Sequence, residues 1–199
     1  MAKAIDRVLE INEHLPNHGK IRVVSISTGI LTWEIGGRAL RAAIDRANEA
    51  GVFVITTSPW INFDFRLMGL GRHPMADPNE LSSFEPGFFF YNDFFQEHTW
   101  YLENNILFVP MDSRTSTAHT GNVDYRFCRS GGLSWAAPWL AGMYALCVQV
   151  YPDITPELFI QLAFETGDEI SLFRGGNIYT LRTVINPIRL IERLELMRE

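Results

Sequence analysis

The chain has 199 residues, 47% hydrophobic and 20% charged, which is ample material for a core and excludes intrinsic disorder, collagen-like repeats and coiled coils. Seventeen Lys and Arg against 23 Asp and Glu leave a formal net charge of −6. Lysine occurs only at Lys3 and Lys20 and the arginines are scattered, so no basic patch marks a nucleic-acid partner.

Ile5, Val8, Leu9 and Ile11 fall at helical spacing, and Pro16 to Gly19 ends that first helix. The opening residues read as an amphipathic helix and not as a signal peptide, so the expectation is a cytoplasmic chain unless its true N-terminus lies upstream. Ile21-Arg22-Val23-Val24-Ser25-Ile26-Ser27 is short, apolar and β-branched, which suits a strand buried on both faces. A helix is expected from about Glu34 to Ala50, with Ile35, Leu40, Ala43, Ile44 and Ala47 on its apolar face and Gly51 as its stop. Val52 to Thr57 is a second buried strand. Strand, helix, strand with short links is a βαβ unit, which implies an α/β fold with a parallel sheet.

Residues 58 to about 104 carry eleven of the aromatic residues singled out along the chain, from Phe63 to Tyr101, among Gly and Pro turns and with no clean period. Such a stretch reads as a cover over a core or as a contact surface for a ligand or peptide. Ile106 to Pro110 is a third strand, and a polar stretch runs from there to Ser130. Ala136 to Val150 is helical and apolar nearly all round, hence central and buried. Thr155-Pro156 and Asn186-Pro187 each pair an N-cap with a proline in the first turn, and open two further helices. No run of about 18 apolar residues is evident, so no membrane partner is expected. Cys128 and Cys147 form no CxxC pair and read as free thiols.

The window Gly132-Leu133-Ser134-Trp135-Ala136-Ala137-Pro138-Trp139-Leu140-Ala141-Gly142 carries the chemistry. A serine at the start of a buried helix is either a plain N-cap or a nucleophile. Free backbone N–H groups and the helix dipole at that end stabilise the oxyanion of acyl transfer. Pro138 in the first turn costs little, because its missing N–H would be unpaired there.

This window resembles the catalytic-serine signature of the subtilisin-like serine proteases, Gly-Thr-Ser-Met-Ala-Ala/Ser-Pro-His-Val-Ala-Gly, agreeing at seven of eleven positions. Tyr151-Pro152-Asp153-Ile154-Thr155-Pro156-Glu157 is similar to the segment that comes after that helix in the family. Val184-Ile185-Asn186-Pro187 resembles the family's closing stretch, and Val24 to Gly29 resembles the strand that pairs with bound peptide. The resemblance implies a three-layer, mostly parallel α/β sheet with helices on both faces. It implies peptide-bond hydrolysis through an acyl-enzyme on Ser134, with Ser27, Thr28 and Gly29 along the substrate cleft. The Ser134 N–H would be one oxyanion donor, and Asn62 is the nearest amide to a second, although it also reads as an ordinary loop asparagine. No cofactor is implied, and no metal constellation is evident; Asp77, Asp112 and Asp124 read as solvated turn residues.

In this family the triad runs Asp, His, Ser along the chain. Only about twenty residues precede the Ser25 strand, and neither an Asp-Ser/Thr-Gly nor a His-Gly-Thr-His segment occurs among them. His14 and His18 read as solvated histidines, Asp6 lies on a surface helix, and His119-Thr120-Gly121 lies downstream in the wrong order. The expectation is therefore one partial domain over 1–199, the C-terminal part of the catalytic fold, with its N-terminal part missing and an aromatic-rich insertion at about 58–104. Alone it would be nearly inert. Its partners would be a peptide or protein substrate and either the missing part of the domain or a second copy, joined along an exposed sheet edge. The competing reading is a non-catalytic module of the same fold that binds peptides or a partner protein.

Overall fold

The computed structural model describes residues 1–29, 35–103 and 105–198. Helix α1 (Ala2–His14) leads to β1 (Val23–Ile26), α2 (Gly37–Glu49) and β2 (Phe53–Thr56). Strands β3 (Arg66–Arg72) and β4 (Phe84–Pro86) come next, then the one-and-a-half-turn helices α3 (Tyr91–Gln96) and α4 (His98–Glu103), then β5 (Ile106–Pro110). A hairpin of β6 (Arg114–Thr117) and β7 (Tyr125–Cys128) precedes the long α5 (Leu133–Val150) and α6 (Pro156–Glu165). Strands β8 (Asp168–Arg174) and β9 (Asn177–Val184) and helix α7 (Pro187–Leu196) complete the chain. The expected helix start at Glu34 lies outside the described residues; Ile35, expected on the apolar face, is exposed ahead of α2.

The βαβ unit forms as expected, with β1 and β2 parallel and Val23 opposite Phe53. The remaining pairing departs from a mostly parallel sheet. A separate five-stranded sheet has the order β4-β3-β5-β9-β8, in which β3/β5 and β5/β9 are parallel but β3/β4 and β8/β9 are antiparallel. In both antiparallel pairs the chain folds back directly on itself, through a longer loop between β3 and β4 and a tight turn between β8 and β9. Gly175 and Gly176, both at positive φ, turn β8 into β9 in two residues.

Alternation along the strands assigns the two faces. Phe53 and Ile55, Phe65 and Leu67, and Leu107 and Val109 join α5, α6 and α7 in one core. Their neighbours face the other way. Val52 and Val54 pack with α1 and α2, while Met68, Leu70, Ile106 and Phe108 pack with Phe94 and Tyr101 of α3 and α4. Strands covered on both sides are apolar at nearly every position, which is why β2 and β5 are legible as apolar runs. By contrast β1 is only half-buried, and Ser25 and Ser27 are exposed. Both faces are covered only in part, Val23 packing against the core of α5 and Val24 and Ile26 against that of α1 and α2, so the expected full burial is not reached.

Helix α5 is long and apolar enough to cross a membrane by length and composition, contrary to the expectation that no such run exists. Here it is a core helix: Leu140, Tyr144 and Cys147 are fully buried against the sheets. The Tyr144 hydroxyl donates toward the carbonyls of Gly51 (3.3 Å) and Ile154 (3.1 Å), and burial raises its pKa above the ordinary tyrosine value. Arg22 donates to the carbonyls of Gly51, Pro152 and Ile154, tying the root of β1 to the chain leaving α5. Both cysteines are free thiols, Cys128 half-buried and Cys147 buried, where loss of solvation pushes the Cys147 pKa up to about 12.

Candidate active site

Helix α5 begins at Leu133, three residues earlier than periodicity suggests, with Gly132 as its N-cap in extended conformation. Ser134 is therefore the second helical residue and caps nothing. Its side chain is exposed, and its hydroxyl donates to the carbonyl of Ser27 at 3.1 Å. The Ser27 hydroxyl donates back to the carbonyl of Ser134 at 3.0 Å. That second bond has a cause in the sequence. Pro138 lies inside the helix and lacks the N–H that would ordinarily serve the carbonyl four residues before it, which is that of Ser134. The Ser27 hydroxyl supplies the missing donor; because the helix starts at Leu133, Pro138 is its sixth residue and not in the first turn as expected, and its missing N–H has a structural consequence.

The pair stitches the C-terminal end of β1 to the N-terminal end of α5 across 107 residues of sequence. The Ser134 N–H has no acceptor among the described residues, and no acidic residue lies in the first turn of α5. An outward-pointing donor at the positive end of an 18-residue helix favours an anionic oxygen beside it. Beside this pair Thr28 and Gly29 are exposed, Thr28 accepts a backbone bond from Thr57 (3.2 Å), and Gly29 lies against the Ser58 hydroxyl.

The structure does not gather Asn62 with them. Its amide donates to the Asp45 carboxylate at 2.6 Å and toward the Arg41 carbonyl at 3.4 Å, both on α2. The short turn at Pro59–Ile61 directs it there. The histidines are also elsewhere or otherwise engaged. His98 accepts from the Thr180 N–H (2.8 Å) and stacks edge-on against Phe94 and Tyr179; His73 accepts from the Met75 N–H. His14, His18 and His119 are exposed. Among the described residues no imidazole or carboxylate hydrogen-bonds Ser134. A carbonyl can orient a hydroxyl but cannot take its proton, so Ser134 here is a weak nucleophile.

One residue escaped sequence reasoning. Asp112 is buried, not a solvated turn residue: its carboxylate accepts from the Gly131 N–H (2.6 Å) and the Phe88 N–H (2.7 Å). It thereby binds the loop entering α5 to the aromatic turn at 88–90, and brings the exposed Phe89 ring beside Gly132. The backbone turns sharply after it, with Ser113 in the left-handed region at φ 54°, held by bonds to Arg129 and Arg72. Removing two charge-assisted bonds and leaving a buried N–H unpaired costs about 2–3 kcal/mol. Asp112→Ala will lose that much stability in urea unfolding, and no loss would mean that the carboxylate holds nothing. Asp77 and Asp124 remain exposed turn residues. Among the described residues no three His, Cys, Asp or Glu side chains gather around a point where one metal ion could sit.

The fold is that of the subtilisin-like serine protease domains. Similar solved structures include subtilase cytotoxin SubAB (12% identity, TM-score 0.64, covering 98% of this chain and 65% of that one) and a variant of the protease domain of PatA (18%, 0.55, 98% and 65%). The serine protease MycP1, an essential component of the type VII (ESX-1) secretion system, is also similar (18%, 0.57, 96% and 56%). The chain spans less than two thirds of the length of each. No family model and no curated protein matches the chain.

Proposed function

We propose that this chain is the nucleophile-bearing part of a subtilisin-like serine endopeptidase. In this reading the Ser134 Oγ attacks the scissile carbonyl, forming an ester as the peptide C–N bond breaks. The proton passes from Oγ to an imidazole and then to the leaving amine, and water later hydrolyses the ester. The Ser134 N–H faces the oxyanion, and Ser27, Thr28 and Gly29 flank the peptide. The imidazole and the carboxylate that orients it come from polypeptide outside residues 1–199, docked along the free edge of β1. Asn62 can serve as a second oxyanion donor only by exchanging Asp45 and Arg41 for the oxyanion.

The observation that supports this reading is the exposed Ser134 hydroxyl, which does not cap its own helix and lies beside a strand edge that is unpaired among the described residues. That same edge favours the second reading, a non-catalytic module that captures a partner strand. Purification of the tagged chain from its native cells with its bound polypeptides, and then fluorophosphonate labelling, separates the two. The protease reading expects modified Ser134 in an assembly that contains Asp-Ser/Thr-Gly and His-Gly-Thr-His segments, and no labelling of the isolated chain. Unmodified Ser134 in such an assembly contradicts it, and a copurifying partner without those segments favours the module.

A further inference from the structure

A cavity of about 490 Å³ opens where the C-terminal ends of β3 and β5 meet the start of β6, the loop at 78–84, Trp139 of α5 and the first turn of α7. Its volume falls within the range of about 300–1,000 Å³ usual for small-ligand sites. Ser134 does not line it, so a ligand held there is independent of whether that serine reacts.

Two arginines line this space, Arg72 and Arg114. Arg72 is fixed in place: one guanidinium nitrogen donates to the carbonyls of His73, Pro74 and Ala76. Arg114 is half-buried, and no carboxylate lies within ion-pair distance of it among the described residues. Burial, and after it the charge of Arg72, lowers its pKa from the ordinary arginine value. The two acidic groups at the wall are already engaged. Asp112 accepts from two backbone N–H groups, and Asp168 is held by the Asn186 amide (2.6 Å) and by Arg189 (2.8 Å). The N-terminal end of α7 adds further positive potential, since its first turn carries no acidic residue. Neither arginine is ion-paired among the described residues, and Asp112, the one wall carboxylate without a cationic partner, is turned to the backbone N–H groups of Phe88 and Gly131, which leaves the two guanidinium groups open to an anion.

The rest of the wall decides which anion. Leu70, Phe84, Trp139 and Val184 make it largely apolar. A phosphate dianion would bring oxygens that such a wall cannot hydrate, whereas the two oxygens of a carboxylate match a guanidinium fork and leave the remainder of the molecule to the hydrocarbon. We propose that this cavity binds a carboxylate carried on an apolar group, its oxygens held by Arg114 and Arg72 and its body lying against Leu70 and Trp139. Both a free fatty or aromatic acid and the C-terminus of a peptide ending in an apolar residue present that chemistry.

Calorimetric titration of the full chain tests this with two matched pairs: octanoate against 1-octanol, and a leucine-terminated pentapeptide acid against its amide. The expected result is saturable binding at one site by at least one acid, with its neutral counterpart at least roughly tenfold weaker. Which acid binds tells the free acid from the peptide terminus. Arg114→Gln should weaken the acid by roughly 10- to 100-fold, while Arg126→Gln, at an exposed position on the adjoining strand, should leave it unchanged. Absence of binding by both acids at millimolar concentration, or equal binding of each acid and its neutral match, overturns the proposal. These comparisons use the unaltered chain, so they decide the matter even where Arg114→Gln does not fold.

Discussion

If the proposed protease reading holds, Ser134→Ala will lower peptide hydrolysis by the completed assembly by about 10⁴–10⁶-fold, the cost of losing a nucleophile that acts as a unit with its base. The same substitution will barely change stability. The hydroxyl is exposed and, among the described residues, makes one hydrogen bond, to the Ser27 carbonyl, which water can replace for about 1 kcal/mol or less. The bond in the other direction uses the Ser134 backbone carbonyl and survives. Rate and stability therefore separate at this residue. Steady-state kinetics with urea unfolding on the same preparation reads both, and a variant retaining more than about a tenth of the rate would remove Ser134 from the chemistry.

The largest loss of stability is expected at Phe53. Its ring is fully buried in β2, with centroids 5.0 Å from Tyr144 of α5, 5.4 Å from Phe159 of α6 and 5.6 Å from Phe63. It is a point at which the parallel pair meets α5 and α6 together. Phe53→Ala removes a fully buried ring and leaves a cavity that three other aromatic residues, each held in its own packing, cannot fill. The cost is about 3–5 kcal/mol, a large share of the stability of a domain this size. A fall in the urea midpoint with an unchanged slope is the expected reading. A loss below about 1 kcal/mol would mean that α5 and α6 are held to the sheet by other contacts.

Local signals explain which elements could be read from sequence. Thr155 and Asn186 cap α6 and α7 as their Thr-Pro and Asn-Pro pairs suggest, accepting from the N–H groups of Leu158 (3.2 Å) and Arg189 (3.0 Å). Those are contacts of three residues, so the chain spells them out. The apolar runs of β2 and β5 report burial on two faces. Strand β3 was not legible, because Gly69 and Gly71 interrupt its apolar run. Gly69 is there for close approach, since a Cβ would collide with the Met111 side chain. The β6–β7 hairpin is polar and largely exposed, so no apolar period marks it. The β8–β9 hairpin did carry a usable signal, the Gly175-Gly176 pair between two strand-forming runs.

The site divides in the same way. Ser134 stands out in a dense local window, and its place at the mouth of α5 is a consequence of that window. Its link to Ser27 joins residues 107 apart, and nothing local in either segment points to the other; only likeness to a family associates them. Asp112 had no signal at all, because its partners are backbone N–H groups that any residue could supply. Asn62 stands out for its amide, but the acceptors that engage this amide lie on α2, 17 and 21 residues away.

The proposed acyl-enzyme on Ser134 can be trapped. The completed assembly is mixed with a peptide ester, quenched in acid within the first turnover and digested for mass spectrometry. The acyl mass is expected on the peptide that contains Ser134 and is expected to be absent from the Ser134→Ala protein. Ester turnover by an assembly whose acyl group sits on any other residue, or one whose Ser134 stays unmodified through the burst, would contradict it.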